Sequence, residues 1–281
     1  MRNWLKYTLS TAVAMLAASL LATSCEKVES PLFEEELVEV TFNPTIDQEA
    51  TRAGEANHIN VLYIEVYLNG SKVGTLIDKV VTGGVIESFS MNLIKGQHYD
   101  FIFWAQDKDC GAYSFGNPKS LRTITVNYPN PNTDTNTPTS PADVSNRDVF
   151  YKHIYFTVNS SNNVMDVDLC RPFAYVVAGT NVENFSEGVT TKMTFANIAT
   201  TFDAFNGTTS NPTEVSINFT PSRSSSNTYN GHILYGAAYV LPTNNQTTIT
   251  IESTKDSNTK TTTISLDKLE ANKRYNILGN L

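Results

Sequence analysis

The residues of this chain best suited to covalent chemistry lie near its start, in Leu20-Leu21-Ala22-Thr23-Ser24-Cys25. Cleavage between Ser24 and Cys25 would free an amino group beside a thiol. Both accept acyl chains, and two or more chains hold a protein at a bilayer where one does not. What precedes them fits such a signal: Met1 to Lys6 carries Arg2 and Lys6, and Tyr7 to Ala22 is uncharged, apolar and small. That run is too short, and too soon followed by acidic residues, for a membrane-spanning helix. Residues 1–24 therefore read as a lipoprotein signal peptide with Cys25 as the lipidated residue. An ordinary secretory signal with a chance Cys is the alternative, since Ala22 stands where Leu would be stronger.

A second reactive position is Arg52, in Thr51-Arg52-Ala53-Gly54. The stretch from Ile46 to Asn57 has no hydrophobic periodicity, and an unstructured segment enters a trypsin-like active site without anything unfolding. Taken from the residues alone, a plain loop is the better reading. Cys110 and Cys170 remain after the signal, and two alternatives stand for them: one disulfide, or two free thiols. Asp107-Lys108-Asp109-Cys110-Gly111 spaces its carboxylates like the start of a calcium loop, but the third acid and the distal Glu are missing, so a solvated turn is expected. Asp166 and Asp168 alternate with Val167 and Leu169, as on the wet face of a strand. The four histidines, His58, His98, His153 and His232, have no metal-ligand spacing, and neither Gly-x-Ser-x-Gly nor His-Glu-x-x-His occurs. No catalytic residue, metal or cofactor is expected, and the chain is not read as an enzyme.

Composition narrows the partners. Lys and Arg total 20 against 28 Asp and Glu, and loss of Arg2 and Lys6 with the signal takes the net charge from −8 to −10. No basic stripe or aromatic-basic interleaving exists, so nucleic acid is excluded as a partner. Thr, Asn and Ser abound, long helical runs are missing, and 13 Tyr with 14 Phe favour β structure.

The elements that must hold these positions read as short strands. Residues 25–36 are acidic and contain Pro31, which suits a tether. Leu37–Phe42 alternates and forms a first strand that Pro44 is expected to stop. Ile59–Leu68 and Lys72–Ile77 flank Asn69-Gly70, a tight-hairpin pair. Further strands are expected at Val85–Leu93, Tyr99–Ala105, Leu121–Val126, Val149–Val158 and Val164–Leu169. Tyr128–Asn146, with Pro129, Pro131, Pro138 and Pro141, reads as a surface excursion. Arg171-Pro172 marks a boundary, after which the pattern restarts: Phe173–Ala178, Val189–Phe195, Glu214–Phe219, His232–Leu241, Thr247–Glu252, Thr259–Leu266 and Tyr275–Leu278. Leu266-Asp267-Lys268-Leu269 reads as one helical turn or a bend. The aromatic groups Tyr63/Tyr67 and Phe101/Phe103 with Trp104 read as core, or as a carbohydrate platform where exposed. The fold class is all-β, with β-sandwiches at 37–170 and 171–281.

Three stretches carry a resemblance: Tyr99-Asp100-Phe101-Ile102-Phe103-Trp104-Ala105-Gln106, Leu169-Cys170-Arg171-Pro172-Phe173-Ala174, and the run from Asn272 to Leu281. In that order they resemble the fimbrillin-like surface lipoproteins of gut and oral Bacteroidales, from about Leu37 onward. The resemblance implies two transthyretin-like β-sandwich domains, an outer-membrane anchor through lipid on Cys25, and a part in building, anchoring or tipping a pilus. It further implies that an arginine-specific protease cuts at Arg52, that Leu37–Phe42 leaves, and that a neighbouring pilus subunit donates a strand to the vacated groove. Family members that polymerise run on past the equivalent of Gly279-Asn280-Leu281, so either the sequence is a fragment or the protein is a terminal or accessory subunit. A surface lipoprotein binding host protein or glycan is the rival expectation, and an enzyme of unrecognised type the third.

Anchoring is directly testable. Cys25→Ser protein is expected in the soluble fraction and without incorporated fatty acid, by fractionation and acyl labelling. Retention in membranes would contradict the lipoprotein reading.

Overall fold

A computed structural model describes residues 35–46, 56–129, 141–159 and 163–281. Among the described residues the regular structure is strand with four short 3-10 turns and no α-helix. The first nine strands are β1 (Leu37–Ile46), β2 (Val61–Leu68), β3 (Ser71–Val80), β4 (Phe89–Ile94), β5 (His98–Gln106), β6 (Tyr113–Phe115), β7 (Ile124–Val126), β8 (Phe150–Thr157) and β9 (Val164–Leu169). The remaining eight are β10 (Ala174–Asn181), β11 (Thr190–Asp203), β12 (Thr208–Phe219), β13 (Thr228–Tyr229), β14 (His232–Val240), β15 (Thr247–Lys255), β16 (Asn258–Leu266) and β17 (Arg274–Gly279).

The first sandwich packs the sheet β4-β1-β9 on the sheet β3-β2-β5-β8. Alternation in the sequence becomes one buried face here: Val38, Val40, Phe42 and Ile46 of β1 meet Leu62, Ile64 and Val66 of β2 and Tyr99, Phe101 and Phe103 of β5. Asn69 and Gly70 take positive φ (48° and 79°) and close the β2–β3 hairpin as the Asn-Gly pair predicts. One expectation fails, because β1 does not stop at Pro44 but continues to Ile46. Thr41 N–H donates to Asn163 O on the β9 side, so the nitrogen of Pro44 faces the other side, where pairing with β4 ends at Phe42 opposite Phe89. The proline removes no ladder hydrogen bond.

The second sandwich repeats this topology. β10 lies between antiparallel β14 and parallel β17, as β1 lies between antiparallel β4 and parallel β9. Facing it, β12-β11-β15-β16 has the connectivity of β3-β2-β5-β8. The sheets approach closely at Gly236, where a Cβ would lie 2.3 Å from Met193 Sδ. β11 and β12 run further than the sequence pattern suggests. Asn197 at φ 59° and a register slip between Phe195 and Ile198 break the alternation, and Pro212 sits in β12, an edge strand that tolerates it. Asp203 closes their hairpin by accepting from Phe205 N (2.9 Å) and Asn206 N (3.1 Å). After β16, Asp267 is a bend rather than a helical turn.

No slack linker joins the halves. β6 and β7, from within residues 37–170, extend the second sandwich's sheet, with Ile124 and Thr125 paired to Phe202 and Thr201 of β11. Glu65, fully buried, accepts from Leu121 N (2.8 Å) and Ser120 Oγ (3.1 Å) and pairs with Lys72. The ends of the Tyr128–Asn146 excursion are pinned inside, although residues 130–140 lie outside the described ones. Tyr128 donates to Ala199 O and accepts from Leu241 N, both at 2.9 Å, and Val144 is buried. The β11–β12 tip lays Phe205 against Tyr67 (5.0 Å) and His153 (5.1 Å) with the Arg122 guanidinium 4.2 Å from its ring. Arg171 is no exposed linker residue. It is buried and binds Asp148 through two guanidinium nitrogens, between the rings of Phe150 and Tyr239. Burial pushes the Asp148 carboxyl above its ordinary value while the Arg171 guanidinium pulls it back.

Breaking this pair strands a buried charge, which costs about 3–5 kcal/mol. Asp148→Ala is therefore expected to lower unfolding free energy by about that amount in urea titration, whereas a loss under about 1 kcal/mol, the range of surface pairs, would show that the pair does not hold the junction.

Candidate functional site

The site worth building upward is the slot that β1 fills. β1 is central in its sheet, with six residue pairs to β4 and six to β9. Its inner face is centred on Phe42, fully buried, with ring centroids at 4.7 Å from Phe101, 5.3 Å from Phe89, 5.9 Å from Phe103 and 6.2 Å from Phe156. Around it sit the smaller Val38, Val40 and Ile46. The slot is thus an aromatic pocket flanked by aliphatic ones, with two flanking strands whose main-chain groups need a partner.

From Thr41 to Thr45 the outer face of β1 is polar and bonded. Thr41 Oγ1 meets Ser90 Oγ at 2.9 Å; Asn43 Nδ2 donates to Asp166 Oδ1 at 3.0 Å; Thr45 Oγ1 donates to Asp168 Oδ1 at 2.7 Å. Both Asp side chains lie on the exposed face of β9, as their alternation predicts. At the opposite end Lys95 Nζ pairs with Glu36 at 2.8 Å, and Lys95 N–H donates to Glu36 O. The sequence reading placed the aspartates correctly but not their partners. The same i, i+2 spacing in Asn43/Thr45 was the available signal, and only parallel pairing of β1 with β9 aligns the two sets.

Ala56–His58 forms a 3-10 turn that lies close against Gly84. Gly84 has φ 74°, and a Cβ there would lie 2.6 Å from Ala56 O, so glycine is required. Arg52 falls in residues 47–55, outside the described residues, as do Ser24 and Cys25.

Other singled-out positions do not converge. Cys110 and Cys170 are both partly buried; Cys110 accepts from Ala112 N–H, and burial pushes its thiol up. Asp107 forms a turn instead of a calcium loop, accepting from Asn60 Nδ2 (2.8 Å) and Asp109 N (3.0 Å). His153 contacts Asp100 Oδ1 at 3.0 Å, while His232 contacts Asn230 O. Among the described residues no group of three or more His, Cys, Asp or Glu is placed to hold a metal. Phe101, Phe103 and Trp104 are fully buried and Tyr67 nearly so, with burial pushing its phenol up to about 12, whereas Tyr155 of β8 stands 70% exposed beside His98.

If the aromatic pocket holds β1, Phe42→Ala should lower stability by about 3–5 kcal/mol, while Asn43→Ala on the outer face stays within about 1 kcal/mol. Urea titration checks both, and equal effects would refute the two-faced description.

Comparison with solved structures returns the same fold at low identity. A "putative adhesin" from Bacteroides ovatus superposes with TM-score 0.53 at 10% identity, covering 86% of this chain and 87% of that one. A second "putative adhesin", from Bacteroides thetaiotaomicron, gives 0.51 at 12% identity, covering 83% and 81%. "Putative polysaccharide binding proteins" from Bacteroides thetaiotaomicron give 0.50 at 10% identity, covering 82% and 80%. No curated protein matches the chain. A family signature does match over residues 33–281, from just before β1 through the last strand, and the chain belongs to that Family of unknown function (DUF6562).

Proposed function

We propose that this chain is a non-enzymatic, lipid-anchored protein of the outer-membrane surface that serves as a fimbrillin-like pilus subunit and joins other subunits by strand complementation. The observation that carries this reading is the position of β1: a central strand, buried on one face only, followed by the segment that contains Arg52. Withdrawal of β1 would leave β4 and β9 with unpaired N–H and C=O groups and expose the Phe42 pocket, and a strand from a partner restores both. The shared fold with adhesin-described proteins of Bacteroides supports a surface role. A second reading, glycan binding, is favoured by the polysaccharide-binding description of one structural neighbour and by exposed Tyr155.

An arginine-specific protease is expected to cut the folded protein at Arg52 before the other arginines, of which Arg171 is buried. Cut protein should then capture a partner subunit in complexes that resist dissociation, while Arg52→Ala protein stays intact and monomeric. Mass spectrometry and size-exclusion chromatography read both. An uncut Arg52 in folded protein, or equal assembly by Arg52→Ala, would overturn the reading.

A further inference from the structure

The polar rim of the β1 slot has a charge direction. Lys95 sits at the end where β1 begins, pairing with Glu36, and Asp166 and Asp168 sit where it finishes, accepting from Asn43 and Thr45. At ~3.3 Å per strand residue these ends lie roughly 23–30 Å apart. β1 answers with an acid at its leading end but only neutral donors at its trailing end. A carboxylate binds a cationic donor more strongly than a neutral one. The resident strand therefore leaves the acidic end of the slot electrostatically undercompensated.

We propose that this rim selects the direction and register of the incoming partner strand. This inference rests on the strand-complementation reading above. The slot takes a strand of another subunit running in the direction of β1, parallel to β9. That strand carries an acid opposite Lys95, an aromatic residue in the Phe42 pocket, and basic residues one and three positions after the aromatic, against Asp166 and Asp168. A strand entering in the reverse direction would set its acid beside the two aspartates and its basic residues beside Lys95. Apolar pockets alone do not distinguish the two directions as sharply, because alternation reads nearly the same from either end. Charge at the rim supplies the asymmetry, and it also makes a basic donor able to displace β1 in exchange.

The test uses the full chain cut between β1 and Ala56, at Arg52 or at a protease site introduced within residues 47–55. Its probes are fluorescent peptides spanning residues 36–46: the parent sequence, one with Asn43→Lys and Thr45→Lys, and one with Asn43→Glu and Thr45→Glu. Each Lys is expected to tighten binding about two- to fivefold, in line with exposed ion pairs, and the Glu peptide to bind more weakly than the parent. In Asp166→Asn/Asp168→Asn protein the three affinities should converge, and in 1 M salt, where screening acts within ~3 Å, the differences should shrink. Equal affinities for the three peptides, or an order that persists in the doubly substituted protein, would overturn selection by charge while leaving strand complementation intact. Failure of all three, parent included, to bind cut protein would overturn strand complementation and this inference with it.

Discussion

Main-chain hydrogen bonding at the centre of a sheet is the constraint on which this structure depends. β1 satisfies two neighbours at once, six residue pairs with β4 and six with β9. A central strand cannot leave without orphaning donors and acceptors on both sides, and each orphan away from water costs free energy comparable to a lost hydrogen bond. The slot therefore demands some strand. Side chains add to the hold on β1, through the Phe42 pocket beneath and Lys95, Asp166 and Asp168 at the rim.

The repeated topology sharpens this point, because β10 occupies the equivalent slot of the second sandwich and has a different character. Ala174 to Thr180 are all buried, on both faces, and Tyr175 stacks on Tyr239 at 4.5 Å. Just before β10, Arg171 is locked to Asp148. Extracting β10 would unpack a core on each side and break a buried ion pair. β1 has one buried face and an outer face that is polar from Thr41 to Thr45. Two slots of one design thus differ in how completely their strands are buried, and the difference lies in side chains, not in sheet order.

The period-two pattern made most strands legible, and Asn69-Gly70 located a hairpin, because both are local signals. What escaped was non-local. β7 lies within the expected Leu121–Val126, but its pairing with β11, dozens of residues later, and the three-residue β6 that pairs with it were not readable. At Arg171-Pro172 the restart of the strand pattern was legible, but nothing local says that Arg171 is buried against Asp148. Pro44 looked like a stop, because its harmlessness depends on where β4 ends. At the slot, the apolar face and the acidic pair on β9 were readable separately, but their meeting required the parallel register of β1 on β9.

That register also shows how a strand in the slot communicates with the rest of the chain. The inner face of β5 lines the slot through Phe101 and Phe103, while its outer face sends Ile102 and Trp104 into the second core. Trp104 lies 6.0 Å from Phe202 of β11, and Trp104 Nε1 donates to Gln106 Oε1, so the same strand serves both cores. Close-packed interiors transmit displacement instead of absorbing it. If a partner's strand bears load in the β1 slot, β5 passes that load to β11, and the Asp148–Arg171 pair and the Tyr128 hydrogen bonds brace the same junction. A flexible linker between sandwiches would stretch under the same load; here buried side chains stand in its place.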